Sequence, residues 1–275
     1  MGLPNVLKIE DEIIKFIIEE FTFESGVRKL KEIFFDIVGG INLDILKSDK
    51  SIETPYLITK EVVYKYIQKK HEIIHRTVSE TSLIGSINGM YATTLGTGGI
   101  LPITCRFYPC DKFLNLKLTG LQQEVMKESM HLSMTVAWDK TSIKKQNEIR
   151  KKYDAPNCNG INVHAGDLDV QKEGPSAGAA ICCSIYSLLN NLKIKQYFGI
   201  TGEMSMNGEI MAIGGLGDKI IGSLKSKVNS FIYPKENQRH FDDFMDKYKD
   251  NPQLDGVSFY SVSHIDEVFE LIFDK

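Results

Sequence analysis

Two side chains in this sequence could work as a nucleophile and its base. Ser176 lies in Glu173-Gly174-Pro175-Ser176-Ala177-Gly178, and Lys219 follows 43 residues later, at the end of Gly214-Gly215-Leu216-Gly217-Asp218-Lys219. A serine hydroxyl is a poor nucleophile until a neighbour takes its proton. Lysine can do so only as the free amine. At its ordinary pKa of about 10.4, roughly one lysine in a few thousand is neutral at pH 7. Burial that lowers the pKa by ~3 units costs about 4 kcal/mol and makes the amine a usable base. Such a pair therefore needs apolar or helical walls around the lysine.

The flanking residues supply those walls. Residues 177–189 are apolar on nearly every side, with small residues at the start, and predict a buried helix with Ser176 at its N-terminus. Free backbone N–H groups and the positive end of the helix dipole would there face a developing oxyanion. Ile220, Ile221 and Leu224 predict a second, amphipathic helix opening at Lys219. Asn207-Gly208 is a hairpin signal that returns the chain from Thr201 towards Lys219. Gly174-Pro-Ser-Ala-Gly178 also fits the Gly-x-Ser-x-Gly nucleophile elbow of α/β-hydrolases, which needs a strand directly before the serine and an acid and histidine after it. His240 and His264, near Asp242, Asp243 and Asp266, keep a triad open by residue type. The polar, loop-like stretch from Gly166 to Glu173 argues against the strand. Gly214 to Lys219 lacks the spacing of a phosphate-binding loop.

Residues 173–219 resemble the proteolytic domain of Lon, a family of ATP-dependent serine proteases with a Ser–Lys dyad. Three blocks carry the resemblance, in one order and at the family's spacing: Lys172 to Gly178, Thr201 to Ile210, and Ile213 to Lys219. It implies that Ser176 is the nucleophile, that Lys219 is the general base, that the Thr201 hydroxyl bonds the lysine amine, and that His164 lies near the site. The chain departs from the family at Ile100-Leu-Pro-Ile-Thr104, where the family's strand commonly ends in a glutamate. Gly89 to Gly99 matches the family's glycine-rich segment only loosely. Upstream, Phe21-Thr-Phe-Glu-Ser-Gly-Val-Arg28-Lys-Leu30 resembles a block of the small helical subdomain of the AAA+ ATPase module. Arg28 falls there on the sensor-2 arginine, which implies contact with nucleotide phosphates.

The elements fit an α+β class: a Lon-type proteolytic domain of mixed short sheets and helices, preceded by a small all-α AAA+ lid. Ile9, Ile13, Ile14, Ile17 and Phe21 form one helical stripe, and Val27, Leu30, Phe34, Ile37 and Val38 form another. Thr59 reads as the N-cap of a third helix. The expected divisions are residues 1–68 for the helical subdomain, 69–82 for a connector and 83–275 for the proteolytic domain. With 42% hydrophobic and 25% charged residues, the composition is that of an ordinary globular protein. A net charge of −3 gives no reason to expect nucleic acid or an anionic membrane as partner. No apolar run approaches a membrane span and no signal peptide is evident. The odd count of five cysteines fits free thiols in the cytoplasm or another reducing compartment, and no Cys–His cluster has metal-ligand spacing. No Walker A motif is present, so no cofactor is expected on this chain, with ATP and Mg²⁺ expected for a full-length protein of which it would be a fragment or truncated variant. The resemblance further implies a homohexameric ring acting on unfolded or damaged proteins. A catalytically silent Lon-like scaffold is the alternative from another class.

Overall fold

The computed structural model describes residues 7–22, 26–47, 55–67, 76–93, 96–153, 158–166 and 174–273. The chain divides into two compact units, Met1–His75 and Arg76–Lys275. Of the expected connector, residues up to His75 lie outside the described residues, and 76–82 have no regular structure.

The first unit contains β1 (Leu7–Ile9), α1 (Asp11–Phe21), α2 (Arg28–Lys47), β2 (Tyr56–Ile58) and α3 (Lys60–Tyr66). Ile17 and Phe21 of α1, Ile33, Ile37 and Ile41 of α2 and Val63 of α3 close its core. The i, i+4, i+8 spacing of the three isoleucines sets the inward face of α2. Val27, expected in that stripe, precedes the helix and is 73% exposed. Thr59 occupies the N-cap of α3 in extended conformation, as its position predicts. An all-helical reading lacks one feature: β1 and β2 pair in parallel, Leu7 opposite Tyr56 and Ile9 opposite Ile58.

The second unit runs β3 (Leu83–Ile84), β4 (Ser86–Ala92), β5 (Gly98–Pro109), β6 (Leu116–Thr119), α4 (Glu124–Lys140), α5 (Ile143–Tyr153), β7 (Asn159–Ala165) and α6 (Gly178–Asn190). It continues through β8 (Lys193–Ile194), β9 (Phe198–Ile200), β10 (Glu203–Met204), β11 (Ile210–Met211), α7 (Leu216–Leu224), β12 (Ser230–Pro234), α8 (Gln238–Tyr248), β13 (Ser258–Val262) and α9 (Ile265–Ile272). The expected short strands largely merge into one seven-stranded mixed sheet in the order β13-β12-β9-β4-β5-β7-β6. β13, β12, β9 and β4 are mutually parallel, and β5 is antiparallel to both its neighbours. Strand alternation splits the apolar residues between two cores. Ile87, Leu101 and Ile103 face α4 and α6, while Met90 and Ile100 face α7 and α8.

The second core depends on a backbone crossing. A Cβ on Gly98 would lie 2.1 Å from the Asp218 carbonyl oxygen, and one on Gly222 would lie 2.0 Å from the Gly98 carbonyl carbon. The start of β5 and the body of α7 therefore touch main chain to main chain. No side chain stands between them that could swing aside. Gly222→Ala is expected to cost about 2–3 kcal/mol and to lower the thermal midpoint by roughly 5–10 °C. Gly217→Ala, whose Cβ would meet only Phe244 Cδ2 at 3.4 Å, is the control and should be neutral in the same melt. A Gly222→Ala protein melting with the wild type would show that this crossing does not hold α7.

Candidate active site

β9 runs straight into Thr201, whose N–H donates to Ile232 O of the adjacent parallel strand β12 at 3.1 Å. The turn before α6 is stitched onto this strand end. Ser176 O accepts from Gly202 N at 2.8 Å and from Thr201 Oγ1 at 3.2 Å, and Ala179 N donates to Gly202 O at 3.1 Å. From the other side, α7 delivers Lys219, whose Nζ donates to Thr201 Oγ1 at 3.0 Å. Ser176, Thr201 and Lys219 are thus assembled around one hydroxyl. The Thr201 proton is committed to the Ser176 carbonyl, so its oxygen can only accept from the lysine. A neutral amine held this way keeps its lone pair free. Ser176 Oγ makes no hydrogen bond to another described residue; Thr201 joins the Lys219 amine to the Ser176 carbonyl, not to its hydroxyl.

Small residues make these approaches possible. A Cβ on Gly202 would meet Ile210 Cγ2 at 2.5 Å, and one on Gly178 would meet Ser129 Oγ at 2.9 Å. Ser129 and Ser133, one turn apart on α4, brace the serine turn. Ser129 Oγ donates to Pro175 O at 3.4 Å, and Ser133 Oγ donates to Gly178 O at 3.0 Å and to Ser129 O at 2.7 Å. Neither serine was singled out from the sequence. The available signal was two hydroxyls spaced i, i+4 among buried methionines.

Lys219 is 3% exposed and Thr201 fully buried. Burial alone pushes the Lys219 amine down to about 8. Lys219 sits in the first turn of α7, with its N–H on Gly215 O at 3.0 Å, so the helix opens three residues earlier than expected. The Asn207-Gly208 turn is present, with Gly208 at φ +89° between antiparallel β10 and β11. Burial pushes the Cys105 thiol up to about 12 and raises Cys182 and Cys183 as well, so none of these thiols competes as a nucleophile. All five cysteines are free.

The remaining candidates lie elsewhere. His164 stands on β7 with Nδ1 3.0 Å from Thr119 Oγ1 and opposite Thr104 in the β5–β7 register; no bond to Ser176 is present. His240 bonds Asn237, and His264 caps α9 and bonds Asn207 O, so neither serves Ser176 as a triad histidine. Glu173 and most of the stretch before it lie outside the described residues. In the first unit, Arg28 opens α2, exposed, with Nε 3.2 Å from Glu32 Oε1. Among the described residues no His, Cys, Asp and Glu cluster could hold a metal, and no helix is long and apolar enough to cross a membrane.

Residues 57–275 match the family model of the Lon protease (S16) C-terminal proteolytic domain. The chain belongs to that family. Lon protease of Mycoplasma mobile is 33% identical over 275 residues, spanning 98% of this chain and 30% of its own length. Lon protease of Fusobacterium nucleatum is 30% identical over 275 residues, spanning 100% of this chain and 34% of its own. The Lon protease homolog of Acanthamoeba polyphaga mimivirus is 30% identical over 322 residues, spanning 95% and 31%. The chain thus covers about a third of the length of these relatives.

A lysine that is easier to deprotonate folded than unfolded weakens the fold wherever it is still charged. The folded value is the lower one, so the unfolded chain binds more protons between about pH 8 and 10.5, and stability must rise with pH across that window. Lys219→Met is therefore expected to be more stable than wild type at pH 7, by up to roughly 3 kcal/mol. The gap should close as pH approaches 10. Urea unfolding of both proteins across that range checks it, and a gap independent of pH would contradict the buried amine.

Proposed function

We propose that this domain hydrolyses peptide bonds with Ser176 as nucleophile and neutral Lys219 as general base. The observation that carries the reading is the buried Lys219 amine hydrogen-bonded to Thr201, which also holds the Ser176 carbonyl. With its pKa near 8, roughly one lysine in ten is neutral at pH 7, instead of one in a few thousand. Ser176 attacks the scissile carbonyl as Lys219 takes its proton. The amine leaves with a proton from Lys219, and water resolves the acyl-enzyme by the same base. The Ser176 and Ala177 amides, which have no acceptor among the described residues, stand at the mouth of α6 as donors for the oxyanion.

Within a chain as long as its relatives, this domain would act on unfolded or damaged proteins delivered by an ATP- and Mg²⁺-dependent module. Arg28 would sense the nucleotide phosphates, and the assembly would be a hexameric ring. The free thiols suit the cytoplasm or another reducing compartment. Thr104, where the family commonly has glutamate, favours the silent-scaffold alternative, and labelling of Ser176 by a serine-directed boronate or acyl probe decides between the two.

On short unstructured peptides, Ser176→Ala and Lys219→Ala should each lower turnover by ~10³-fold or more, with the double variant little worse, because the two act as one unit. Thr201→Val should lower it about tenfold, the weight of one hydrogen bond. Wild-type activity should climb from neutral to alkaline pH with an apparent pKa near 8. A histidine base would instead give a rise centred near 6.5. A profile flat from pH 7 upward, or a Lys219→Ala protein with normal turnover, would remove the lysine from its role.

A further inference from the structure

Asn237 is fully buried, and its side chain does not serve the helix it precedes. It occupies the N-cap of α8, where an asparagine ordinarily accepts from the first-turn amides, but makes no such bond. Its Oδ1 accepts from Ile213 N at 2.9 Å, its Nδ2 donates to Ile213 O at 2.8 Å, and Nδ2 also lies 2.9 Å from His240 Nδ1. One side chain thus occupies both main-chain groups of Ile213, as a neighbouring strand would. Beside it, Ala212 N donates to Glu236 Oε2 at 2.7 Å. Two consecutive side chains therefore fasten two consecutive residues at the exit of β11.

The backbone beyond Ile213 cannot hold its own direction. Gly214 and Gly215 come next, the second at φ +68°, and glycine is the residue with the most backbone freedom to lose. α7 starts directly after them, with Lys219 in its first turn. The helix that carries the amine therefore leaves from a glycine pair whose near end is clipped by Asn237.

We propose that Asn237 is a positioning residue for Lys219: by clipping Ile213 it fixes the origin of α7, and with it the depth at which the amine sits against Thr201. The functional importance of that depth rests on the reading of Lys219 as the base; the depth itself can be measured without turnover. Charged groups do not substitute for it. β4 carries none, β5 carries Arg106, α7 adds Asp218, and α8 carries Arg239, His240, Asp242, Asp243, Asp246 and Lys247; none of them contributes to lowering the lysine.

The test is a pH titration of ¹³Cε-lysine-labelled protein by NMR, with Lys219 assigned as the resonance missing from Lys219→Met. In Asn237→Ala the Lys219 midpoint should move up by about one pH unit or more, towards the ordinary value, while circular dichroism stays native. Peptide turnover should fall at least tenfold with KM within about twofold, because α7 carries the base. His240→Ala leaves both Ile213 bonds and should change neither readout. Glu236→Ala removes the exposed half of the clip and should shift the midpoint by less, and it decides the matter if Asn237→Ala does not fold. A folded Asn237→Ala, or in its default Glu236→Ala, with the wild-type midpoint overturns the proposal. A wild-type protein inactive on peptides would instead sink the base reading, while the midpoint shift still stands or falls by itself.

Discussion

An ammonium ion 3% exposed and bonded to one neutral hydroxyl is the constraint around which this fold is organised. Removing water from a charge is expensive, and a lysine without a carboxylate partner relieves the cost by giving up its proton. The surroundings must therefore exclude water on every side and still leave the amine beside Ser176. One sheet with helices on both faces meets that demand. α6 brings the serine turn from the face of Ile87 and Ile103, and α7 brings the lysine from the face of Met90 and Ile100. They meet at Thr201, at the carboxyl end of β9 between parallel β4 and β12, the kind of position where open parallel sheets place their ligands.

The approach is close because glycines occupy the crossings. Gly98 and Gly222 let α7 lie on the start of β5, Gly178 lets α6 lie against α4, and Gly202 leaves room for Ile210 beside the strand end. Each removes a methyl group that would displace the serine or the lysine. A shift of about 1 Å in either would break the hydrogen bonds that gather both at Thr201.

The candidate residues were legible in the sequence because residue type and local pattern mark them. Ser176, Lys219 and Thr201 announced themselves by motif and spacing, and the helices at 178–190 and 216–224 by their apolar runs. The supports were illegible because they depend on which distant elements become neighbours. Asn237 has no local signal in the sequence, and only the approach of the start of α8 to the end of β11 makes it a clip on Ile213. Ser129 and Ser133 lie 47 and 43 residues before Ser176 and reach its turn only because α4 packs on α6. Val27 misled because the first turn of α2 starts one residue later than the apolar pattern suggested.

The departure at Thr104 falls in a neutral row across the sheet. Ser86, Thr104, His164 and Thr119 stand opposite one another across β4, β5, β7 and β6 and hydrogen-bond within that row. β4, β5 and β7 contain no acidic residue at all. A nearby carboxylate would stabilise the ammonium form of a lysine and raise its pKa, and none acts on Lys219. With burial as the sole cause of its lowered pKa, Lys219 depends for its neutrality on packing. Anything that lets water reach the amine also returns its proton, so in this domain the integrity of the α7 contacts and the protonation of Lys219 are bound together.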